Sequence, residues 1–257
     1  MIPVVYLFVL ATAEAFVGFG NLDIGLAIHI FLVFALVFHT ALRLENDRPM
    51  AVLLLAMSLA PLDRVLSLAI PLYTFPMLVW LGLVGIPLVV AAGSVAYVEG
   101  MHFEDLGFGS LDGRGLVVQL AIGLTGIPLG FLEYAILRPD SWLPGPFTLP
   151  ALVGGTLVLL VATGVSEEVI FRGILLRRAV EFLGNYKGIF FTTIVFAALH
   201  LFYRSPADFV FVFFVGLFYG VVVLRTKSLW GVITSHTFDN VVLYLVAPFL
   251  FAHVAFP

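Results

Sequence analysis

Long apolar runs alternate with short polar connectors along almost the whole chain. An α-helix rises about 1.5 Å per residue, so roughly 20 apolar residues cross the hydrocarbon layer of a bilayer, which is about 30 Å thick. Runs of this kind lie near 2–20, 24–43, 50–72, 75–98, 116–137, 149–178, 186–203, 208–224 and 229–252. The pattern therefore predicts an all-α fold, a polytopic membrane helical bundle of about eight or nine transmembrane helices.

The polar connectors divide these predicted helices into two regions. The longest connector, VEGMHFEDLGFGSLDGRG at 98–115, follows the fourth apolar run. It predicts an N-terminal region of transmembrane spans at 1–98 and a core region at 99–252. Most Lys and Arg residues stand in the connectors after the second, fourth, sixth and eighth runs, and cytoplasmic loops retain positive charge. We expect those connectors to face the cytoplasm.

Composition narrows the possible functions. With 62% hydrophobic and 11% charged residues, the chain is too apolar for a soluble globular domain. The net charge of -4 and the scattered basic residues argue against nucleic acid as a partner and leave the lipid bilayer. The sequence contains no cysteine, which excludes disulfides, a thiol nucleophile and thiolate metal ligands. We expect a multi-pass integral protein of the cell membrane.

Ionisable residues inside membrane helices are costly and therefore mark candidate functional positions. In the core region they stand on three predicted helices: Glu167, Glu168 and Arg172 on the sixth, His200 on the seventh, and His236, Asp239 and Asn240 on the ninth. Counted from the cytoplasmic ends of their helices, Glu167, His200 and His236 lie roughly 12 to 21 Å deep. Their similar depth predicts one enclosed polar site.

Helical spacing distinguishes the two glutamates. Glu168 and Arg172 stand at positions i and i+4, so they share a helix face and can form a structural ion pair. Glu167 points about 100° away and has no such partner, which suits a carboxylate for general acid and base chemistry. His236 and Asn240 also stand at i and i+4. They would present two hydrogen-bond donors on one face, as a site for an oxyanion requires.

Two further spacings concern packing. Phe196 stands four residues before His200, and we expect its ring to form a wall of the site. Gly126 and Gly130 have the GxxxG spacing that is typical of closely packed membrane helices.

Other polar residues receive structural interpretations. Asp63 and Arg64 are adjacent within the third run and indicate a local pair or a kink, with a substrate gate as the alternative. We expect Glu14 and Glu133 to be interfacial or packing residues. His29 and His39 stand in the second run without other polar candidates and are assigned no role.

The segments EEVIFR at 167–172, FAALH at 196–200 and HTFDN at 236–240 match the motifs EExxxR, FxxxH and HxxxN. In these motifs, taken in order on successive core helices, the chain resembles the CPBP intramembrane protease family. That family includes the Ras-converting CAAX prenyl endopeptidases and prokaryotic proteins linked to bacteriocin processing or immunity. The resemblance covers roughly residues 100–245, and no motif position is substituted. It implies nothing definite about the first spans.

The resemblance implies a role for each motif position. Glu167 and His200 would orient and activate a water molecule, and His236 and Asn240 would hold the tetrahedral oxyanion. The supporting positions would be Glu168, Arg172 and Phe196. The family implies no cofactor and no metal. A metal held by Glu167, His200 and His236 stays open as an alternative, since a Glu/His/His set can bind zinc.

The expected function is that of an intramembrane endopeptidase for a membrane-anchored protein or peptide, with a prenylated CAAX-type substrate as one option. The signatures HExxH, GxSxG and GxGD of other protease classes are missing from the sequence. The alternative is a non-catalytic membrane protein that binds a peptide or confers bacteriocin immunity. A proton-coupled transporter is a weaker hypothesis, because the chain shows no two related halves.

Overall fold

A computed structural model describes residues 2–251 of the chain, and its described part contains helices and no strands. Eight helices are long and apolar enough to cross a membrane. They are α1 (Ile2–Phe19), α2 (Leu22–Arg43), α3 (Arg48–Ala69), α4 (Met77–Val98), α5 (Gly113–Leu137), α6 (Leu149–Leu183), α7 (Asn185–Tyr203) and α8 (Pro206–Thr226). The prediction of an all-α polytopic bundle is confirmed.

A ninth helix, α9, follows at 230–250 and corresponds to the last predicted run. It is built from Trp230–Val241, a π-helical turn at Val242–Val246 and Ala247–Leu250. It is less apolar than the other eight helices because it carries His236, Asp239 and Asn240. Residues 1 and 252, which end the two predicted regions, lie outside the described part of the chain.

The sixth predicted helix ends later than expected. The sequence pattern ends it at 178, whereas α6 continues to Leu183 and stops at Gly184, whose φ of 83° lies in the left-handed region. The added turn is amphipathic. It holds Glu181, whose Oε2 accepts a hydrogen bond at 2.8 Å from Nη1 of Arg178, the last residue of the predicted run. A polar helix end of this kind escapes a search for apolar residues alone.

The outer surface of the bundle is apolar. On α2, Phe31, Phe34 and Phe38 are between 64 and 71% exposed, and Phe8 on α1 is 73% exposed. Large apolar side chains on the outside of a helical bundle are suited to contact with lipid. Together with the eight spanning helices, this surface identifies an integral, multi-pass membrane protein.

The main hydrophobic core draws on both ends of the chain. It joins Leu10, Leu36 and Leu54 from α1, α2 and α3 to Ile174 in α6 and Val195 in α7. The N-terminal helices therefore pack directly on the helices that carry the three motifs. The division into regions at 1–98 and 99–252 stays a prediction.

Helix α5 lies close to α9. Gly126 and Gly130 face the backbone carbonyls of Ser235 and Asp239, and a side chain at either glycine would overlap those carbonyls. The predicted packing role of the GxxxG spacing is confirmed. This contact places the middle of α9, including His236, relative to the rest of the bundle.

Helix α6 is irregular where it carries the EExxxR motif. Its π-helical turns at Leu160–Val165 and Val169–Leu175 enclose the short α-helical segment Ser166–Glu168. π-Helical turns are rare in proteins, but those that occur are often found at functional sites. Such a turn changes the direction in which the side chains point. Both glutamates of the motif therefore stand between two changes of helical phase.

Candidate active site

The motif residues surround one cavity of about 780 Å³ inside the bundle. The predicted site residues in its wall are Glu167, Phe196, His200, His236 and Asn240. The side chains come from three helices, α6, α7 and α9, as the similar depths predicted. The remaining motif residues, Glu168 and Arg172, lie behind this wall and are buried.

Glu168 is the centre of a buried hydrogen-bond network. Its side chain is 0% exposed, and its Oε1 atom accepts hydrogen bonds from Arg172 Nη1 and His236 Nδ1, both at 2.7 Å. The ion pair predicted from the spacing of Glu168 and Arg172 is present. The guanidinium carbon of Arg172 also lies 4.2 Å from the centre of the Phe196 ring. Buried charges require this kind of close pairing.

The contact with Glu168 orients His236. Because the carboxylate of Glu168 can only accept, Nδ1 of His236 carries the proton and donates it. The other ring nitrogen, Nε2, lies 3.9 Å from Oε2 of Glu167. The spacing of the motifs did not predict that Glu168 would hold His236, since two residues on different helices meet here only through the tertiary fold.

Glu167 differs from its neighbour in environment. Its side chain is about 26% exposed and lines the cavity, whereas Glu168 is fully enclosed. Glu167 therefore has space beside it for a water molecule or a substrate group. A water that bridged its Oε2 and the Nε2 of His236 could bond to both, because the atoms lie 3.9 Å apart.

His200 is held by its own helix. Its Nδ1 lies 3.1 Å from the carbonyl oxygen of Phe196, so Nδ1 donates and Nε2 carries a lone pair. The Phe196 ring centre is 4.9 Å from the His200 ring and 6.4 Å from the His236 ring. Phe196 thus forms a wall between the two imidazoles, which is the position expected from its spacing.

Asn240 has a partner that the sequence did not single out. Its Nδ2 donates to Oγ1 of Thr163 at 2.9 Å, and Thr163 donates to the Leu159 carbonyl at 2.6 Å. Thr163 stands four residues before Glu167 in α6, so it occupies nearly the same helix face. That spacing is the only sequence signal that could have identified it. One N–H of Asn240 is engaged and the other is available.

Arg64 corrects the interpretation of the third helix. Its Nε donates to Glu14 Oε1 at 2.8 Å and its Nη2 donates to the Leu199 carbonyl at 2.7 Å, whereas Asp63 lines the cavity. A local pair with Asp63 was therefore the wrong interpretation of Arg64. Glu14, which was expected to be an interfacial or a packing residue, is fully buried, and this favours the packing role. His29 Nε2 lies 3.3 Å from the same Glu14 oxygen.

Three further carboxyl groups are buried in the core region, and two of them line the cavity. Glu133 in α5, Asp208 in α8 and Asp239 in α9 are all buried, and Glu133 and Asp239 form part of the cavity wall. Glu133 was expected to be an interfacial or a packing residue, and its burial favours the packing role.

The placement of His, Asp and Glu side chains is relevant to whether the site could bind a metal ion. Within residues 2–251, no three His, Asp or Glu side chains are placed so that they could hold a metal ion together. A metal held by Glu167, His200 and His236 stays a prediction, which chelation of the purified protein would test.

Charged contacts outside the spanning helices fix the loop before α5. Asp105 accepts from the His102 backbone N–H and from Arg177 Nη2, both at 2.9 Å. These contacts, first the backbone hydrogen bond and then Arg177, lower the pKa of Asp105. Leu229, just before α9, donates its N–H to the Gly107 carbonyl at 2.9 Å. The loop thus joins α6 to the start of α9.

Fold and site together define a polytopic membrane protein that encloses a polar Glu/His/His/Asn site within its helices. Residues 149–242 match the family model named Rce1-like. Its description is "Type II CAAX prenyl endopeptidase Rce1-like". This match supports the resemblance to the CPBP family seen in the motifs, all three of which lie within the matched residues. Helices α1 to α5 lie outside the matched residues. No curated protein and no solved structure matches the chain.

Proposed function

We propose that this chain is an intramembrane endopeptidase that hydrolyses a peptide bond of a membrane-anchored substrate, with prenylated CAAX-type peptides as the substrate class. One observation carries the proposal: Glu167 faces His236 at 3.9 Å across the cavity while Glu168 holds the other ring nitrogen of His236. A carboxylate with space beside it and an oriented imidazole are the parts that water-based hydrolysis requires. The family match at 149–242 supports the reaction class.

The first step would be attack by water. The carboxylate of Glu167 would take one proton from the water, whose oxygen would form a bond to the carbonyl carbon of the substrate. His200 would accept a hydrogen bond from the same water through Nε2, since its Nδ1 is engaged by the Phe196 carbonyl. The water would then have a defined orientation toward the carbonyl carbon.

The second step would be collapse of the tetrahedral intermediate. The oxyanion would accept hydrogen bonds from Nε2–H of a doubly protonated His236 and from the available N–H of Asn240. The carboxylate of Glu168 would stabilise the positive charge on that imidazole. When the C–N bond breaks, the amine nitrogen would take its electron pair and the proton held by Glu167. The products would be a new carboxyl terminus and a free amine.

The cavity has the size and surface for a lipidated peptide. Its volume of about 780 Å³ lies in the range typical of ligand pockets. Leu81, Val84 and Leu88 of α4 form part of its wall, so an apolar chain can lie beside the polar site. This apolar surface supports a prenylated substrate over a soluble peptide.

The test is cleavage by the purified protein in nanodiscs of a farnesylated peptide that ends in a CAAX sequence. We expect release of the C-terminal tripeptide, detected by mass spectrometry, and weaker turnover of the same peptide without the prenyl group. Glu167→Gln should lower kcat by roughly 10²- to 10⁴-fold, because it removes the general base. Glu104→Gln, which changes an exposed loop glutamate, is the matched control and should cleave normally.

Three outcomes would decide between the hypotheses. Full activity of Glu167→Gln would contradict the proposed base. Loss of activity on adding EDTA or phenanthroline, restored by zinc, would favour the metal alternative. Tight binding of the peptide without any cleavage, retained in Glu167→Gln, would favour the non-catalytic binding or immunity protein.

A further inference from the structure

The turn that carries His200 ends the regular part of helix α7 and leaves its last carbonyl groups without partners in the helix. Helix α7 loses its regular form at Leu199, and a 3₁₀ turn at Leu201–Tyr203 follows His200. The last carbonyl groups of a helix have no partner within it and need one elsewhere. Arg64 of α3 supplies that partner, since its Nη2 donates to the Leu199 carbonyl at 2.7 Å.

Arg64 contacts the chain on both sides of His200. Besides its bond to Leu199, its guanidinium carbon lies 4.5 Å from the centre of the Phe202 ring. A cation at the carboxyl end of a helix is favoured by the helix dipole, and a planar guanidinium can serve several partners at once. Leu199 and Phe202, which stand on either side of His200, thus both contact Arg64.

Arg64 is itself held in place. Its Nε donates to Glu14 Oε1 at 2.8 Å, and His29 Nε2 lies 3.3 Å from the same oxygen. Glu14 and His29 are both 0% exposed. Helix α1 also lies directly on the turn, since a Cβ atom at Gly18 would be 2.9 Å from the Leu201 carbonyl oxygen. The support for the turn is therefore enclosed by protein and has little freedom to move.

We propose that Arg64 is a positioning residue for His200 and that α1 to α3 complete the active site through it. The inference rests on the proposed function, in which His200 orients the attacking water. Arg64, Glu14 and His29 all lie outside the matched residues 149–242. Through these contacts, the N-terminal helices would help to position His200 for the reaction.

The experiment separates positioning from stability with a charge-neutral double variant. Arg64→Met alone leaves Glu14 buried without its cation and should lower Tm. Glu14→Gln combined with Arg64→Met removes both charges and should recover most of that Tm. If Arg64 positions His200, kcat for the farnesylated peptide should stay roughly 10- to 100-fold low in the double variant, with KM within about twofold. Arg64→Lys should recover part of the activity.

The matched control is Arg43→Met with Glu45→Gln at the end of α2. This variant also removes one arginine and one glutamate, and neither residue lines the cavity. It should retain kcat and KM, and its Tm should fall only by the loss of the contact at 3.3 Å between Arg43 Nε and His39 Nε2. If recovery of Tm in the Arg64 double variant brings kcat back to the wild-type value, Arg64 is structural only and the proposal is overturned.

A second measurement does not depend on cleavage. The backbone N–H groups of Tyr203 and Arg204 are bonded to the carbonyls of His200 and Leu201, so they report on the turn by hydrogen exchange. We expect faster exchange there in the Arg64 double variant and no change in the control. Unchanged exchange at both residues would overturn the proposal. If the wild type cleaves no peptide, the proposed function fails, while the exchange result still decides whether Arg64 holds the turn.

Discussion

At the scale of single residues, adjacent glutamates in the EExxxR motif have opposite surroundings. Glu168 is enclosed and shares one oxygen between Arg172 and His236, whereas Glu167 opens on the cavity. In the proposed mechanism the two glutamates therefore have different roles. Glu168 would orient His236, and Glu167 would exchange a proton with water.

Asn240 provides a prediction at this scale. Thr163→Val removes the acceptor that holds its Nδ2 but keeps the shape of the side chain. One hydrogen bond contributes about 0.5 to 1.5 kcal/mol, so kcat should fall by up to about tenfold while KM changes little. Steady-state kinetics with the farnesylated peptide measure the effect. Thr163→Ser retains the hydroxyl and should behave like the wild type, and equal kcat for all three proteins would show that Thr163 does not orient Asn240.

At the scale of helices, α9 is located by its contact with α5. The backbones approach each other at Gly126 and Gly130, opposite the residues that precede His236 and Asn240. A close contact between backbones leaves no room for a side chain, so this pair of helices has one arrangement. The positions of two candidate catalytic residues follow from it.

Gly130→Ala tests this contact. The added methyl group would overlap the Asp239 carbonyl and approach Val242, and overpacking of this kind costs about 1 to 3 kcal/mol. We expect a lower Tm together with reduced turnover, measured by thermal unfolding and by cleavage of the farnesylated peptide. Gly154→Ala in α6 is the control, because a Cβ atom there meets nothing within 4 Å. A Gly130→Ala protein as stable and active as this control would contradict the packing described for α5 and α9.

The loop between α4 and α5 gives a prediction of pH dependence. The pKa of Asp105 is lowered in the folded protein by the His102 N–H and by Arg177. The ionised form is thus favoured by folding, so the stabilisation is present above the unfolded pKa of about 3.9 and is lost as pH falls through the lower folded value. The Tm values of wild type and Asp105→Asn should differ by a constant amount above about pH 5 and should begin to converge below about pH 4, as the pH approaches the lower folded pKa.

Asp140→Asn, an exposed change in another loop, is the control for this experiment. Its Tm should follow that of the wild type throughout the pH range. A difference between wild type and Asp105→Asn that persisted without change to pH 3 would show that the contacts of Asp105 do not stabilise the folded protein.

At the scale of the whole molecule, the N-terminal helices, which lie outside the family match, pack in one bundle with the helices that carry the motifs. They share the main hydrophobic core with α6 and α7, and Arg64 reaches the turn beside His200. Membrane helices that have formed separately can still assemble from fragments through such contacts. The motif-bearing half should therefore depend on the other half without needing a peptide bond to it.

Expression of residues 1–109 and 110–257 as separate chains tests this dependence. The cut falls in the polar loop, after Gly109 and before the exposed Ser110. The second chain alone should be inactive and poorly stable, because it lacks Arg64 and the N-terminal part of the core. Co-expression of both chains should restore co-purification and cleavage of the farnesylated peptide. Activity of residues 110–257 alone would show that the N-terminal helices are dispensable.

The sequence by itself determined the class of fold and predicted most residues of the candidate site. Apolar runs of membrane length were sufficient to predict the helices, because the bilayer requires backbone groups to bond within each span. The spacing at i and i+4 was sufficient to predict the pair of Glu168 and Arg172, because both partners stand on one helix.

Only the tertiary structure decided the partners that come from different helices. It placed His236 on Glu168, Asn240 on Thr163 and Arg64 between Glu14 and Leu199. Helical periodicity gives the direction of a side chain around its own axis, but it contains no information about the rotation and depth of neighbouring helices. Those quantities depend on the packing of glycines and apolar side chains over the whole bundle, and they exist only once the helices have assembled.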